Sequence, residues 1–531
     1  MGLRKHAKGQ KAHGKADDAS EGEGRQPHFV KNFTKSPCRT RYRPPFMLRR
    51  CFFFLALGSS LLLAKPNFVW IIADDMSPDI AAYGAKGVKT PNLDRLAAEG
   101  RRYTRAYATA PVCSSSRSAF ILGCYQTTTG LHPHDTENPQ PLPAPYVPLP
   151  TQLQKAGYFV TNAPAPDTIR SGKKITKGKT HYNFAHDAKT LFDGDDWRKR
   201  KPGQPFFAQF QVSEPHRPFP VPESFDEADL QTIELPPHYP DHPLTRRDWY
   251  AYQRSVEVVD ARVGRILEQL ESEGVLNDTL VMFFADHGRA MPWGKQWLSV
   301  EGLQVPLLLR GPGIPKNHVE SRLVSLIDLA PSMLALAGQP VPAWMEGRDV
   351  LGASFPERDC LFAARDRCGD AMDRIRVIIT PDAWLVRNFQ PQLSRLNWSS
   401  YKEEQYPGMP LLRLLNAENK LDTFQASWLA PTRPEIEFFD LQTDPQGLHN
   451  LATDPAQTTR IQTLDARLDA WIAATHDQGA LGDPSTEPPL AEIQKDKRQT
   501  YQKVWQKRLQ KPEPSDAERV SWWLREYHLE R

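Results

Sequence analysis

Cys113 and Arg117 stand four residues apart at the start of CSSSRSAFILGCY, a spacing suited to a thiol that is converted to something more reactive and held beside a fixed cation. At a helix N-terminus the thiol meets the positive end of the helix dipole, and a nearby guanidinium adds to that field. Two further dipeptides, Asp74-Asp75 and Asp286-His287, each close an apolar run. Three carboxylates and one imidazole suit a divalent cation; the oxygen count favours Ca²⁺, while His287 admits Mn²⁺ or Zn²⁺. Each motif alone is ordinary, because a Ser-rich helix cap or a strand-end Asp-Asp turn needs no chemistry to explain it. Together they form a constellation.

The elements that must position these groups are legible as apolar runs. NFVWIIA (67–73), PFFAQFQV (205–212) and TLVMFFA (279–285) are continuous and short, the pattern of strands buried on both faces. TPNLDRLAAEG (90–100) reads as a helix with Thr90 as its cap, Pro91 in its first turn and Gly100 at its end. Trp249, Tyr252, Val256, Val259, Val263, Ile266 and Leu270 recur at steps of three and four, which predicts a long amphipathic helix. Residues 305–310 and 327–337 continue the alternation as strand and helix. Strands alternating with helices define an α/β class, a large and mostly parallel sheet sandwiched by helices. In such sheets ligands gather beyond the carboxyl ends of the strands. Asp74-Asp75, His216 and Asp286-His287 all follow apolar runs, so they converge on one sheet edge although 212 residues separate Asp74 from Asp286.

The sequence divides into five segments. Residues 1–46 are rich in Lys, Arg, Gly and His and read as a non-native or disordered extension. Residues 47–64 have a basic start, a short apolar run and small residues, the layout of a secretory signal peptide starting at Met47 and too short to span a membrane. Residues 65–354 form the catalytic domain and 355–480 a smaller α+β subdomain with an antiparallel sheet. Residues 481–531 form a polar helical tail. The 531-residue chain carries a net charge of +4, but residues 1–64 hold 13 of its 67 Lys/Arg and 4 of its 63 Asp/Glu, which leaves 54 against 59. The remainder is acidic, which excludes nucleic acid as the expected partner. Of the six cysteines, Cys113, Cys124, Cys360 and Cys368 follow the leader. These are too few for a disulfide framework at this size, although Cys360 and Cys368 could pair.

With these strands, helices and acidic strand ends in this order, the chain resembles the formylglycine-dependent sulfatases of the alkaline phosphatase superfamily. PNFVWIIADD, TPNLDRLAAEG, CSSSRSAFILG, GKTHYNF, SEPHRPF, GVLNDTLVMFFADHG, the Lys295 segment, SLIDLAPSMLALAG and FFDLQTDPQGLHNLA run in family order over residues 65–455. SEPHRPF and GVLNDTLVMFFADHG are most similar to the heparan N-sulfatase (sulfamidase) branch. The resemblance implies that a formylglycine-generating enzyme oxidises Cys113 and that one hydroxyl of the hydrated aldehyde attacks sulfur. Loss of the proton from the other hydroxyl then expels sulfate. It implies metal ligation by Asp74, Asp75, Cys113, Asp286 and His287, and a hydrate held by Arg117. Lys179 and Lys295 would bind sulfate oxygens, His181 would take the second hydroxyl's proton, and His216 would touch the substrate and protonate its leaving group as an imidazole poised near neutrality. It further implies a secreted or periplasmic enzyme that removes sulfate from a sulfated sugar or polysaccharide, without stable membrane insertion.

Three positions depart from the family pattern. Ser115 stands where Pro or Ala is usual, which bears on conversion of Cys113; Leu122 stands where Thr is common; and His287 replaces a frequent Asn, which bears on metal identity. Two alternatives stay open at this point: a phosphonate monoester or phosphodiester hydrolase of the same fold, and an unmodified glycan-binding relative. His132, His134, Arg365 and Arg367 read equally well as pocket or as surface.

Overall fold

The computed structural model of the protein describes residues 65–170, 173–222, 225–352, 357–477, 479 and 489–530. The extension at 1–46 and the leader at 47–64 lie outside the described residues. No helix among the described residues is long and apolar enough to cross a membrane.

The apolar runs pair as one sheet. Its strands are β1 (Asn67–Ala73), β2 (Arg101–Tyr103), β3 (Phe159–Pro164), β4 (Phe206–Val212), β5 (Thr279–Ala285), β6 (Leu307–Arg310) and β7 (His318–Glu320), in the order β7-β2-β6-β5-β1-β4-β3. β6 runs antiparallel to both its neighbours, and the other pairings are parallel. Parallel pairing gives β1, β4 and β5 a common carboxyl edge, because Ala73 is in register with Val212 on one side and Ala285 on the other. Phe68 through Ala73 are fully buried. Trp70 sits at the centre of this core, edge-on to Phe120, Phe207 and Phe284 with ring centroids 5.2–5.8 Å apart.

Helix α1 (Pro91–Ala98) forms where expected, but Thr90 does not cap it through its side chain. Thr90 Oγ1 instead donates to Asp94 and accepts from the Ala81 amide. The free Leu93 amide is taken by Asp260 Oδ1 at 2.8 Å, from the long helix α3 (Pro243–Ser272). Tertiary packing therefore supplies the cap that the local sequence suggested. Helix α2 (Cys113–Leu122) lies between them in the chain, and all ten of its residues are buried.

A second, antiparallel sheet follows, with β8 (Leu361–Arg365), β9 (Ile375–Ile379), β10 (Ala383–Asn388) and β11 (Ile436–Asp440) in sequential order. It joins the first unit through Trp384, whose Nε1 donates to Leu298 O at 3.0 Å and whose ring meets Tyr107 edge-on. Between β10 and β11 come α4 (Ser400–Gln405) and α5 (Gly408–Ala417); beyond β11 come α6 (Thr458–Ala474), α7 (Leu490–Leu509) and α8 (Asp516–Glu526). The described part of the tail is helical and packs inward, α7 on α4 and α8 on α5. Cys360 and Cys368 do not pair: Cys113, Cys124, Cys360 and Cys368 are all free and buried.

Trp70→Ala removes the ring on which three aromatic side chains converge. Urea denaturation should show a loss of about 3–5 kcal/mol, the usual range for a truncated buried Trp.

Candidate active site

The carboxyl edges of β1, β4 and β5 are stitched together by backbone hydrogen bonds. Asp74 N donates to Val212 O (3.1 Å), Asp286 N to Ala73 O (3.1 Å), and Met76 N to His287 O (3.0 Å). Asp75 adopts a left-handed φ of 61°, unusual for a residue with a side chain, and its amide donates to Asp286 Oδ1 at 3.1 Å. This turn aims the Asp75 carboxylate back over the sheet edge. The N-terminus of α2 points into the same space and brings Cys113. Asp75, Cys113, Asp286 and His287 offer one donor atom each within 4.8 Å of one another, and all four are buried. His287 Nε2 lies 3.2 Å from Cys113 Sγ and 3.1 Å from Asp75 Oδ1.

Asp74 stands beside this four-donor group. One of its oxygens receives Arg117 Nη2, and the other lies 2.7 Å from Lys179 Nζ. The rest of the Arg117 fork reaches Asp286 Oδ2 (Nε, 2.9 Å) and Gln211 Oε1 (Nη1, 2.8 Å). A single guanidinium thus ties carboxylates from two strand ends to the active-site helix. Lys295 Nζ lies 2.8 and 3.0 Å from the two Asp75 oxygens and 3.6 Å from Cys113 Sγ. Together with His287, it balances Asp75 in this structure.

Glycine matters at two points. A Cβ at Gly288 would sit 1.8 Å from Glu301 O, so only glycine lets the chain leave His287 along this path. A Cβ at Gly178 would lie 2.7 Å from the Asn162 carbonyl carbon, which explains the glycine that precedes Lys179.

The electrostatics follow from burial and from these neighbours. Burial pushes the Cys113 thiol up, but Lys179 and Lys295 outweigh it and bring it down to about 7. The two candidate histidines divide sharply. Burial lowers His216 to about 4, with Lys295 and Lys179 adding to the effect and Asp75, 3.7 Å away, opposing it. The expected imidazole poised near neutrality is therefore a neutral one in this state. For His181 burial also lowers the pKa, yet hydrogen bonds with Asp135 and Cys113 outweigh it and raise it to about 9.

Asp135 is a site residue that the sequence reading did not single out. It has a left-handed φ of 56°, its amide donates to Ser114 Oγ on α2, and its Oδ1 lies 2.5 Å from His181 Nε2. His134 joins it, with Nδ1 2.9 Å from Ser114 Oγ and Nε2 3.4 Å from Asp135 Oδ2. The signal was present in GLHPHDT but reads equally as a loop. Gln211 was a polar interruption in an apolar strand. Tyr401, from α4, gave no signal; its ring centroid lies 4.9 Å from Lys295 Nζ. His132 lies 3.1 Å from Asp366, and Arg365 pairs with Asp373 at 2.9 Å, so both belong to the buried structure behind the site. Arg367 Nη2 reaches Asp135 O at 3.2 Å. Ser115 is buried, with its hydroxyl donating to His132 O at 3.0 Å.

The comparisons with known proteins agree with this geometry. The family model described as Sulfatase matches residues 66–339. An ulvan-active sulfatase of Formosa agariphila is 30% identical over 467 residues, covering 78% of this chain and 76% of that protein. Human N-sulphoglucosamine sulphohydrolase is 26% identical over 485 residues, covering 80% of this chain and 93% of that protein. The crystal structure of the phosphonate monoester hydrolase of Agrobacterium radiobacter superposes with a TM-score of 0.57 at 18% identity, over 78% of this chain and 97% of that one. The chain belongs to the sulfatase family, within the alkaline phosphatase superfamily. It is a hydrolase of sulfuric ester or sulfamate bonds.

Asp135→Asn should lower the His181 pKa from about 9 toward its free value near 6.5, read by NMR titration of the imidazole. Because the folded value is the raised one, the stabilisation by Asp135 is complete below about 6.5 and is lost as pH rises through about 9. Thermal unfolding of the variant should therefore differ from wild type at pH 6 and converge with it at pH 10.

Proposed function

We propose that the protein removes sulfate from a sulfated saccharide, using a formylglycine made from Cys113 and a bound divalent cation. The observation that carries this reading is the buried four-donor group around Cys113, flanked by Arg117, Lys179 and Lys295. The saccharide class is supported by two relatives, one named as ulvan-active and the other as acting on N-sulphoglucosamine. The shared fold does not select sulfate over phosphonate, since a phosphonate monoester hydrolase has it too.

The donor set fits a metal ion. His287 Nδ1 lies 2.9 Å from Gly288 O, and Nε2 faces Asp75, Asp286 and Cys113. Burial lowers the His287 pKa, but Asp286, Cys113 and Asp75 outweigh it and raise it to about 10. A bound cation would take the place of the Nε2 proton, with the Nδ1 proton held by Gly288 O. Asp74, Asp75, Asp286, His287 and the oxidised Cys113 side chain would hold the ion. Oxygen donors favour Ca²⁺, and the imidazole admits Mn²⁺ or Zn²⁺. When bound, the ion supplies Lewis-acid polarisation and lowers the pKa of a coordinated hydroxyl.

The remaining roles fall to the side chains of this chain. Arg117 fixes the Cys113 side chain relative to both carboxylates. Lys179 and Lys295 pair with the sulfate oxygens, as compact ammonium groups beside a buried reacting centre do. His181, beside Cys113, takes the proton released from the nucleophile-bearing side chain. His216, beside Asp75 and Lys295, gives a proton to the leaving oxygen or nitrogen. The resting charge states are the reverse of these roles, and two changes correct them. Conversion of Cys113 removes the thiolate that helps to raise His181, and an anionic sulfate next to Lys179 and Lys295 raises His216. We further propose that the leader at 47–64 directs the protein to the periplasm or outside the cell, where a formylglycine-generating enzyme has already acted on it.

Mass spectrometry of the Cys113 peptide from native-host protein should show the aldehyde, and an intact thiol would sink the reading. On the same preparation 4-nitrophenyl sulfate should turn over faster than a 4-nitrophenyl phosphonate monoester, and the reverse order would reassign the substrate. Removal of metal with EDTA should reduce sulfate release by at least ~100-fold, with recovery on adding Ca²⁺. Cys113→Ala should abolish turnover while leaving the circular dichroism spectrum unchanged.

A further inference from the structure

Residues 168–186 hold Lys173, Lys174, Lys177 and Lys179 and no acidic residue. Lys173–Lys174 form an antiparallel ribbon with Ile169–Arg170, and the ribbon is closed at its base by Ile175 N donating to Thr168 O at 2.9 Å. Thr168 is itself anchored, since its hydroxyl meets the buried Arg262 of α3. The segment then runs directly into the site: Lys177 and Lys179 line one cavity of about 350 Å³ together with Asp74, His181, Gln211 and Ser213. A cleft of that size is at the lower end of the range for small-molecule sites.

The charge balance around this cavity is one-sided. The neighbouring carboxylates are already engaged: Asp74 by Lys179 and Arg117, Glu214 by Arg262 at 2.9 Å, and Asp167 by Arg265 at 3.5 Å. Among the described residues, none provides a carboxylate partner within 4.0 Å for Lys173, Lys174 or Lys177, and all three are exposed. Ile169, on the same ribbon, is 58% exposed and offers an apolar surface beside them. Lys173 and Lys174 on the anchored ribbon and Lys177 just beyond it have no carboxylate partner among the described residues; contiguous with the pocket that holds Lys179 and His181, they are complementary to negative charge carried by the substrate outside the reacting group.

We propose that Lys177, with Lys173 and Lys174 behind it, forms a second anion subsite, which takes a further sulfate or carboxylate on the same sugar chain that presents its scissile sulfate to Cys113. The inference rests on the reading of the site given above and deepens it: the preferred substrate is a polyanionic oligosaccharide rather than a singly sulfated sugar. The subsite contributes to binding and encounter and not to the chemical step, so its loss acts on KM and on salt dependence while kcat stays the same.

The test uses Lys177→Glu and the double variant Lys173→Ala/Lys174→Ala, all at exposed positions where folding is insensitive. With an ulvan tetrasaccharide the Lys177→Glu variant should lose about tenfold or more in kcat/KM, chiefly through KM, and show a shallower fall of rate with added NaCl. Turnover of 4-nitrophenyl sulfate, which carries no second anion, should stay within about twofold of wild type. Carboxyl-reduced tetrasaccharide separates the two ligand groups: a persisting defect assigns the subsite to sulfate, a vanishing one to the uronate. Calorimetric binding of ulvan and heparin tetrasaccharides, with a neutral dextran oligosaccharide as control, is read independently of turnover. Wild-type protein that releases no sulfate would overturn the sulfated-saccharide reading, and the binding data would still judge the subsite. Equal losses on the aryl sulfate and the oligosaccharide, or charged-oligosaccharide binding unchanged in both variants, would overturn the inference.

Discussion

Three carboxylates, Asp74, Asp75 and Asp286, are buried at one sheet edge, and the architecture depends on how their charge is met. Taking such groups out of water without partners is prohibitively costly, so the cations must arrive in the folded state and in fixed places. Arg117 reaches Asp74 and Asp286, Lys179 reaches Asp74, and Lys295 reaches both oxygens of Asp75. These three cations come from α2, from the loop after β3 and from the loop after β5. The charge network therefore fixes the relative positions of the same elements that build the cavity. It also places the Cys113 side chain beside two ammonium groups, which is where an anionic substrate would be drawn.

The same field explains why the two candidate histidines, His181 and His216, differ so much. His216 faces Lys295 and Lys179 in a buried setting, and both effects disfavour its charged form. His181 has Asp135 in direct contact and Cys113 beside it, and these favour charge strongly enough to overcome burial. Asp135 is in turn held by Ser114 of α2, so one helix positions both the reactive side chain and the carboxylate that sets its neighbour's proton affinity. Replacing a thiolate at 113 with a neutral group removes part of what charges His181. The charge at position 113 and the histidine's protonation state are physically linked.

The parts of the chain beyond the matched region 66–339 are not appendages. Tyr401 of α4 covers Lys295, and Tyr406 lies under Arg217, whose guanidinium sits 4.4 Å from that ring and 4.1 Å from Phe219. Arg217 forms a two-pronged pair with Asp248 of α3, and Asp248 also accepts the Tyr527 hydroxyl at 2.8 Å. His216 Nδ1 lies 2.6 Å from Arg217 O, so the residue next to a candidate proton donor is braced from the far end of the chain. This gives the helical tail a place in the architecture that its polar, Trp-rich sequence did not suggest.

By itself the sequence determined the strands and the sites at their ends. Apolar runs such as NFVWIIA and TLVMFFA are short, continuous and closed by acids, and burial on both faces leaves no other use for them. The parallel α/β class followed from their alternation with helices, and Cys113, Arg117, Asp75, Asp286 and His287 were legible because their types and spacing are improbable together. What only the tertiary structure decided were contacts between side chains distant in sequence: Asp260 capping α1, Asp135 charging His181, Lys295 balancing Asp75, and Arg117 and Lys179 meeting Asp74. Local pattern encodes whether a residue is buried and in which element, since those depend on its neighbours in the chain. Which charge a buried group meets depends on packing between elements tens to hundreds of residues apart, and no local pattern carries that information.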